Sequence, residues 1–246
     1  MNALYLATRA TKDPCVFDTY WATGLRTKGR IRVTVPLIEG ARVAAELSSA
    51  QYLLVEKNVC GHDKTGAGLS IHTSCPEIFD LLAGTSENTR LVQYCKFLRT
   101  RFIGTKLKYD TPPYRWADEQ CETNVCVLQV TKPPKTLIEI AGVGQAELTA
   151  YAMERFIDRF EKKPEKAWRK LISIAKEVKP AKLVGRSVFS NIKYRRPGRY
   201  VVDEKRGIML VILDADRPGE PPRVVTIGKQ LLNAKISETQ EQETEQ

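Results

Sequence analysis

Between residues 30 and 54 the chain changes its hydrophobic period, and that change limits the folds open to it. Arg30–Leu37 (RIRVTVPL) alternates Ile31, Val33, Val35 and Leu37 with Arg32 and Thr34, the period-two pattern of a strand with one buried face. The following ARVAAELSSAQYLL, residues 41–54, sets Val43, Leu47, Ala50 and Leu54 at i, i+4, i+7 and i+11, along one face of a helix. Glu46 stands beside the apolar face of that helix. A carboxylate at the rim of a core helix is either a solvated edge residue or a metal ligand.

Two further strands precede this unit. Leu4–Ala7 is a short apolar run, and Val16–Arg26 (VFDTYWATGLR) is rich in aromatic residues and threonine. Lys28-Gly29 is expected to make the tight connection into the third strand. Three sequential strands and then an amphipathic helix bearing a glutamate resemble the opening of the ribonuclease H fold. AELSSAQYLL is similar to that family's helix motif, a Glu-Leu followed by Ala and Leu at helical spacing. GLSIHTS (68–74) resembles the family's fourth strand, and 76–82 the short helix after it. A helix is expected over 88–102, with Leu91, Tyr94, Cys95 and Leu98 on one side. TLIEIAG followed by QAELTAYAMERFIDRF resembles the family's last strand running into its last helix. The resemblance implies an α/β fold, an RNase H-like mixed sheet flanked by helices, over residues 1–162, with an insertion at 105–135.

The family's chemistry requires four carboxylates, because two divalent cations about 3.5–4 Å apart need anionic oxygen ligands. The resemblance sets the first-strand aspartate at Thr8, the helix glutamate at Glu46, the fourth-strand aspartate at Thr73 and the last-helix aspartate near Ala150, with Glu147 one turn earlier. One of the four is retained, so Glu46 is the candidate catalytic residue of a dismantled site. Neutral hydroxyls cannot replace two charges against a pair of cations, and the expectation is no cofactor. The alternative is a rewired Mg²⁺ centre recruiting Asp13 or Asp18 near the first strand, or Glu77 or Asp80 after the fourth. The same four groups also read as surface carboxylates that cap turns and helices. A zinc site of Cys60, His62, His72 and Cys75 has the right atom types but an unfamiliar spacing. GVGQAE (142–147) lacks the pattern of a phosphate loop and reads as a turn and helix start.

Six scattered cysteines predict free thiols in a reducing compartment, and no apolar run is long enough to span a bilayer. The chain reads as a cytoplasmic protein. Its charge is uneven. The formal net charge is +10, and between Glu161 and Arg206 fifteen Lys/Arg face five Asp/Glu, which already accounts for +10. Concentrated basic charge suits a polyanion. The densest piece, NIKYRRPGRYVV, supplies Lys193, Tyr194, Arg195, Arg196, Arg199 and Tyr200 as candidate nucleic-acid-binding residues, arginines for phosphates and tyrosines for exposed bases. Alternatively the tyrosines face the sheet core and the cations guard an edge strand.

This region reads as a small α+β domain over 163–234: an amphipathic helix at 167–178, then an antiparallel meander of RYVVD, IMLVILD and RVVTIG. GRYVVDEKRGIMLVI resembles the central strands of RelE-type toxin ribonucleases, which implies RNA docking through basic and Tyr residues. Residues 235–246, polar and acidic, are expected to be a disordered tail. In the insertion, Tyr114, Arg115 and Trp116 beside a double proline form either a substrate-facing loop or a hydrophobic plug at the sheet edge. The functional expectation is a nucleic-acid-binding protein (RNA, hybrid or single-stranded DNA) on a catalytically degenerate RNase H-like domain. The alternatives are a nuclease, metal-dependent around Glu46 or metal-independent in the C-terminal module, and a protein-interaction scaffold.

Overall fold

A computed structural model describes residues 2–23, 27–61, 65–112, 114, 117, 125–180 and 198–229. The fold is mixed α/β, with two six-stranded mixed sheets and few helices. The chain divides into two compact units, residues 1–136 with 163–170, and 137–162 with 171–246. Among the described residues no helix is long and apolar enough to cross a membrane.

The first unit is built on strands β1 (Asn2–Ala10), β2 (Val16–Ala22), β3 (Lys28–Thr34), β4 (Leu69–Thr73), β5 (Lys106–Tyr109) and β6 (Val125–Gln129), in the order β5-β4-β1-β2-β3-β6. The three sequential strands pair antiparallel, with Thr8 opposite Thr19 and Ile31 also opposite Thr19. β4 then lies parallel to β1, β5 parallel to β4, and β6 parallel to β3. Helix α1 (Ala41–Gln51) buries every residue except Arg42, because alanines at 41, 44, 45 and 50 let it sit close to the sheet. The core joins Leu4, Leu6, Ile31, Val33, Leu69 and Ile71 of the sheet to Val43, Leu47, Leu53 and Leu54. Helices α2 (Glu77–Ala83) and α3 (Thr89–Tyr94) feed Ile78, Leu81, Leu91 and Tyr94 into the same core.

The expected connection at Lys28-Gly29 lies one step later than the real one. Both residues belong to β3, and the turn closes where the Thr23 N–H donates to Thr27 O at 2.9 Å. Gly29 serves a different purpose: a Cβ there would stand 2.9 Å from the Trp21 indole nitrogen, so a larger residue would push the ring that lies over it aside. The helix expected over 88–102 is shorter, ending at Tyr94 and continuing as turns, although Cys95, Leu98 and Phe102 are buried as its pattern required.

The second unit is a separate sheet of β7 (Leu137–Ile140), β8 (Gly144–Leu148), β9 (Lys179–Pro180), β10 (Gly198–Asp203), β11 (Ile208–Leu213) and β12 (Arg223–Lys229), in the order β7-β8-β12-β11-β10-β9. β10, β11 and β12 pair antiparallel in succession, as RYVVD, IMLVILD and RVVTIG lead one to expect. Helix α4 (Ala150–Phe160) covers this sheet through Ala152, Met153 and Phe156. The second half of α5 (Pro164–Glu177) adds Leu171, Ile174 and Ala175.

Residues 137–160 depart from the sequence expectation. TLIEIAG does not join the first sheet. It pairs antiparallel with Gly144–Leu148, so GVGQAE is a turn and a strand, and the helix starts only at Ala150. Gly142 and Gly144, at φ 73° and 89°, supply the left-handed turn that the helix reading overlooked. The strand beside β4 is instead Lys106–Tyr109, from inside the stretch read as an insertion, and Val125–Gln129 closes the opposite edge.

Candidate functional site

Glu46 is reached by following β1 and β4 to their C-terminal ends, where the two parallel neighbours run out side by side under α1. Thr8 and Thr73 lie there, and both are buried. The Thr8 N–H donates to Ser74 Oγ at 3.0 Å, which ties the two strands together beyond the last ladder pair, Tyr5 with His72. Glu46 is wholly buried and projects into this corner. Its Oε1 accepts the Ser74 N–H at 2.8 Å and the Thr73 hydroxyl. Its Oε2 accepts the Ser74 hydroxyl, with Cys75 Sγ at 3.5 Å.

The surrounding shell is saturated. Ser74 Oγ donates to Glu46 and accepts from Thr8 N–H and from Arg42 Nη2 at 3.2 Å, which uses its one proton and both lone pairs. Thr73 Oγ1 accepts the Cys75 N–H at 3.0 Å. Arg42, one turn before Glu46, folds over the strand ends: its Nε donates to Thr8 O at 3.0 Å and its Nη2 to Ser74 O at 2.9 Å. The Thr8 and Thr19 hydroxyls are hydrogen-bonded to each other at 3.0 Å. Burial, reinforced by the Glu46 charge, pushes the Cys75 thiol far above its usual range, so it is a neutral neighbour and not a nucleophile.

A site for a divalent cation presents oxygen acceptors to an open centre. This corner presents the reverse, with hydroxyls, amides and a guanidinium aimed at or around one carboxylate. The residues do not fit Mg²⁺. Nor do Asp13, Asp18, Glu77 and Asp80, the alternative carboxylates, form a metal-binding group with Glu46. Asp13 accepts the Cys15 N–H at 2.8 Å in a turn, and Asp18 holds Arg32 through two bonds of 2.9 and 3.0 Å. Glu77 and Asp80 sit in the first turn of α2, and Glu147 lies on β8 with Arg223 Nε at 3.6 Å. Among the described residues no three His, Cys, Asp or Glu side chains come together as a metal-binding group. Of the zinc candidates, Cys75 faces Glu46, while His72 stacks on Tyr5 with ring centroids 4.2 Å apart. Burial holds the His72 pKa below its ordinary value. His62 lies outside the described residues.

The candidates for nucleic-acid contact divide. Lys193, Tyr194, Arg195 and Arg196 lie outside the described residues. Arg199 and Tyr200 are successive on β10 and therefore point to opposite faces of the sheet. Arg199 Nη2 is 3.1 Å from Asp214 Oδ1. Tyr114 resolves one half of the insertion question: it is buried against Ala7 of the central strand, and its hydroxyl donates to Asp110 O at 3.0 Å. It packs on a sheet face rather than at an edge. Arg115 and Trp116 lie outside the described residues.

Sequence reasoning overlooked a basic sheet face. The strand register sets Arg9, Lys28, Arg30, Arg32, Lys106 and Lys108 on the side of the first sheet turned away from α1. Asp18 is the one carboxylate on that side among the described strand residues, and Asp110 follows β5 near His72, 3.9 Å away. The signal was present as K-x-R-x-R at 28–32 and K-x-K at 106–108, the polar half of two alternating strands. No family model matches this chain, and no match was found among curated proteins or solved structures.

Proposed function

We propose that this chain is a non-catalytic nucleic-acid-binding protein whose first unit is a degenerate member of the RNase H-like superfamily. The succession that carries the resemblance supports this: three antiparallel strands, a helix bearing Glu46, and a fourth strand lying beside the first. The observation that carries the non-catalytic part is the hydrogen-bonded enclosure of Glu46 by Thr73 and Ser74, with Arg42 across the strand ends. The binding part rests on the cations of β1, β3 and β5 and on the basic stretch through Lys193–Arg199. Their charge suits phosphates held without chemistry. RNA or a hybrid duplex is read through backbone and 2′-hydroxyl contacts, which such a face can supply.

The test incubates the protein with labelled RNA, single-stranded DNA and hybrid, with and without Mg²⁺ or Mn²⁺. Retarded but intact nucleic acid is the expected result. Metal-dependent cutting that disappears in Glu46→Gln overturns the non-catalytic reading, and no retardation of any probe overturns the binding reading.

A further inference from the structure

One cleft of the first unit has features that its fold does not need. It measures about 210 Å³ and lies between the C-terminal end of α1 and β6 with the loop after it, lined among others by Ser48, Gln51, Tyr52, Glu56, Gln129 and Lys132. Ser48 is 3% exposed and Gln51 8%, yet Ser48 Oγ and Gln51 Oε1 have no hydrogen-bond partner among the described residues. Buried polar groups in folded proteins are nearly always paired, because an orphan loses its bonds to water and gains nothing. The neighbouring Ser49 shows the usual solution, donating to Ala45 O at 2.9 Å. Ser48 does not take it. Moreover, α1 ends here in a π-helical turn, Tyr52–Glu56, closed by the Lys57 N–H to Tyr52 O at 3.0 Å. Such turns are costly and collect at functional sites.

From these orphaned groups we infer that the cleft holds a single nucleobase of a bound strand. Ser48 and Gln51 stand one helical turn apart on one face, so their side chains reach adjacent groups of one ligand edge. Gln51 Oε1 accepts only, and Ser48 Oγ donates or accepts. An exocyclic amine beside a ring nitrogen, the Watson–Crick edge of adenine or cytosine, answers both. Both protein groups are neutral, so an ion or a zwitterion finds no buried countercharge here. The volume is below the roughly 300–1,000 Å³ of drug-sized pockets and suits one heterocycle. Tyr52, half-buried, lines the cleft and is held in place by Cys126 Sγ at 3.2 Å and by Lys57, whose Nζ lies 5.5 Å from the ring centroid, and the exposed Lys132 also lines it, where a base's phosphate would remain in solvent.

This inference rests on the proposed nucleic-acid binding, and the experiment separates the two. Adenosine, cytidine and ribose 5-phosphate are titrated by calorimetry into the wild type, Ser48→Ala and Gln51→Leu. A labelled single strand and its abasic counterpart are measured in parallel. Expected are binding of the nucleosides but not of ribose 5-phosphate, at least a tenfold loss in each variant, and weaker binding of the abasic strand. Both variants should melt no lower than the wild type, because each removes an orphan. Nucleosides that fail to bind while the intact and abasic strands bind equally overturn the cleft and leave the wider reading standing. Nucleosides that bind while neither strand does overturn the wider reading instead. If a variant fails to fold, equal binding of intact and abasic strands by the wild type is sufficient to reject the cleft.

Discussion

Glu46 accepts hydrogen bonds from two side-chain hydroxyls and one backbone amide of the segment that ends β4. Bonds to a charged acceptor in a dry corner are the strong kind, and they anchor the helix to the strand ends. Glu46→Gln turns an amide N–H toward groups that are themselves donors. It should lower the unfolding free energy by about 1.5–3 kcal/mol in urea titrations; an unchanged midpoint would show that the anchor carries no stability. A second residue-scale prediction concerns Cys95, fully buried, whose thiol burial pushes up to about 12 from near 9. Below about pH 9 the thiol is protonated in both states and its contribution is complete. Above that, the unfolded chain releases a proton that the native state keeps, so stability falls as pH rises toward 12, by at most about 1.4 kcal/mol per unit. Urea midpoints of the wild type and Cys95→Ala should therefore converge as pH rises from about 8 to about 10. Parallel curves would count against it.

At the scale of elements, the helix starts differ in how they are fixed. α1 has a left-handed glycine, Gly40, and no side-chain cap, so its position depends on the packing of its alanine face. α4 is fixed by chemistry: Thr149 Oγ1 accepts the Ala152 N–H at 3.1 Å and donates to Val224 O at 2.8 Å, joining the helix start to β12. Thr149→Ala should cost about 1–2 kcal/mol and Thr149→Ser much less, checked by thermal melts; equal losses would mean that the methyl group, not the hydroxyl, matters. Thr149 also shows why 137–160 misled a linear reading. QAELTAYAMERF has helical spacing throughout, but β8 needs four of its residues to pair with β7 and β12. Tertiary pairing outweighs local propensity.

For the molecule as a whole, the relevant quantity is charge of +10 and where it lies. Sequence blocks directed attention to 161–206, whereas register places a second set of cations on one side of the first sheet. Binding to a labelled strand should weaken steeply with salt. Replacing Lys28, Arg30, Lys106 and Lys108 by Gln should flatten the log–log slope by about 1 for each phosphate that the variant no longer neutralises. Arg195→Ala with Arg196→Ala measures the other basic stretch in the same assay. A slope untouched by either set would remove the electrostatic basis of the proposal.

Leu37, expected on the buried face of the third strand, is 71% exposed beyond that strand's end at Thr34. The chain's own pattern was enough to determine the three strands between residues 4 and 34, the helix carrying Glu46, the buried positions at 91, 95 and 98, and the three strands after 198. In each, one hydrophobic period persists long enough to specify a face. The resemblance to the ribonuclease H fold, not the pattern, pointed to Thr8 and Thr73 as the positions to examine around Glu46. Only the tertiary structure decided what that corner is, because Ser74 and Arg42 act through hydrogen bonds between segments some thirty residues apart in sequence. Only pairing decided that 106–109 joins β4 and that 137–148 forms its own hairpin, since a four-residue strand has too little pattern to choose its neighbour. The orphaned atoms of Ser48 and Gln51 were invisible for a related reason. A sequence states which polar groups a helix carries, while whether each finds a partner depends on what the fold sets opposite it.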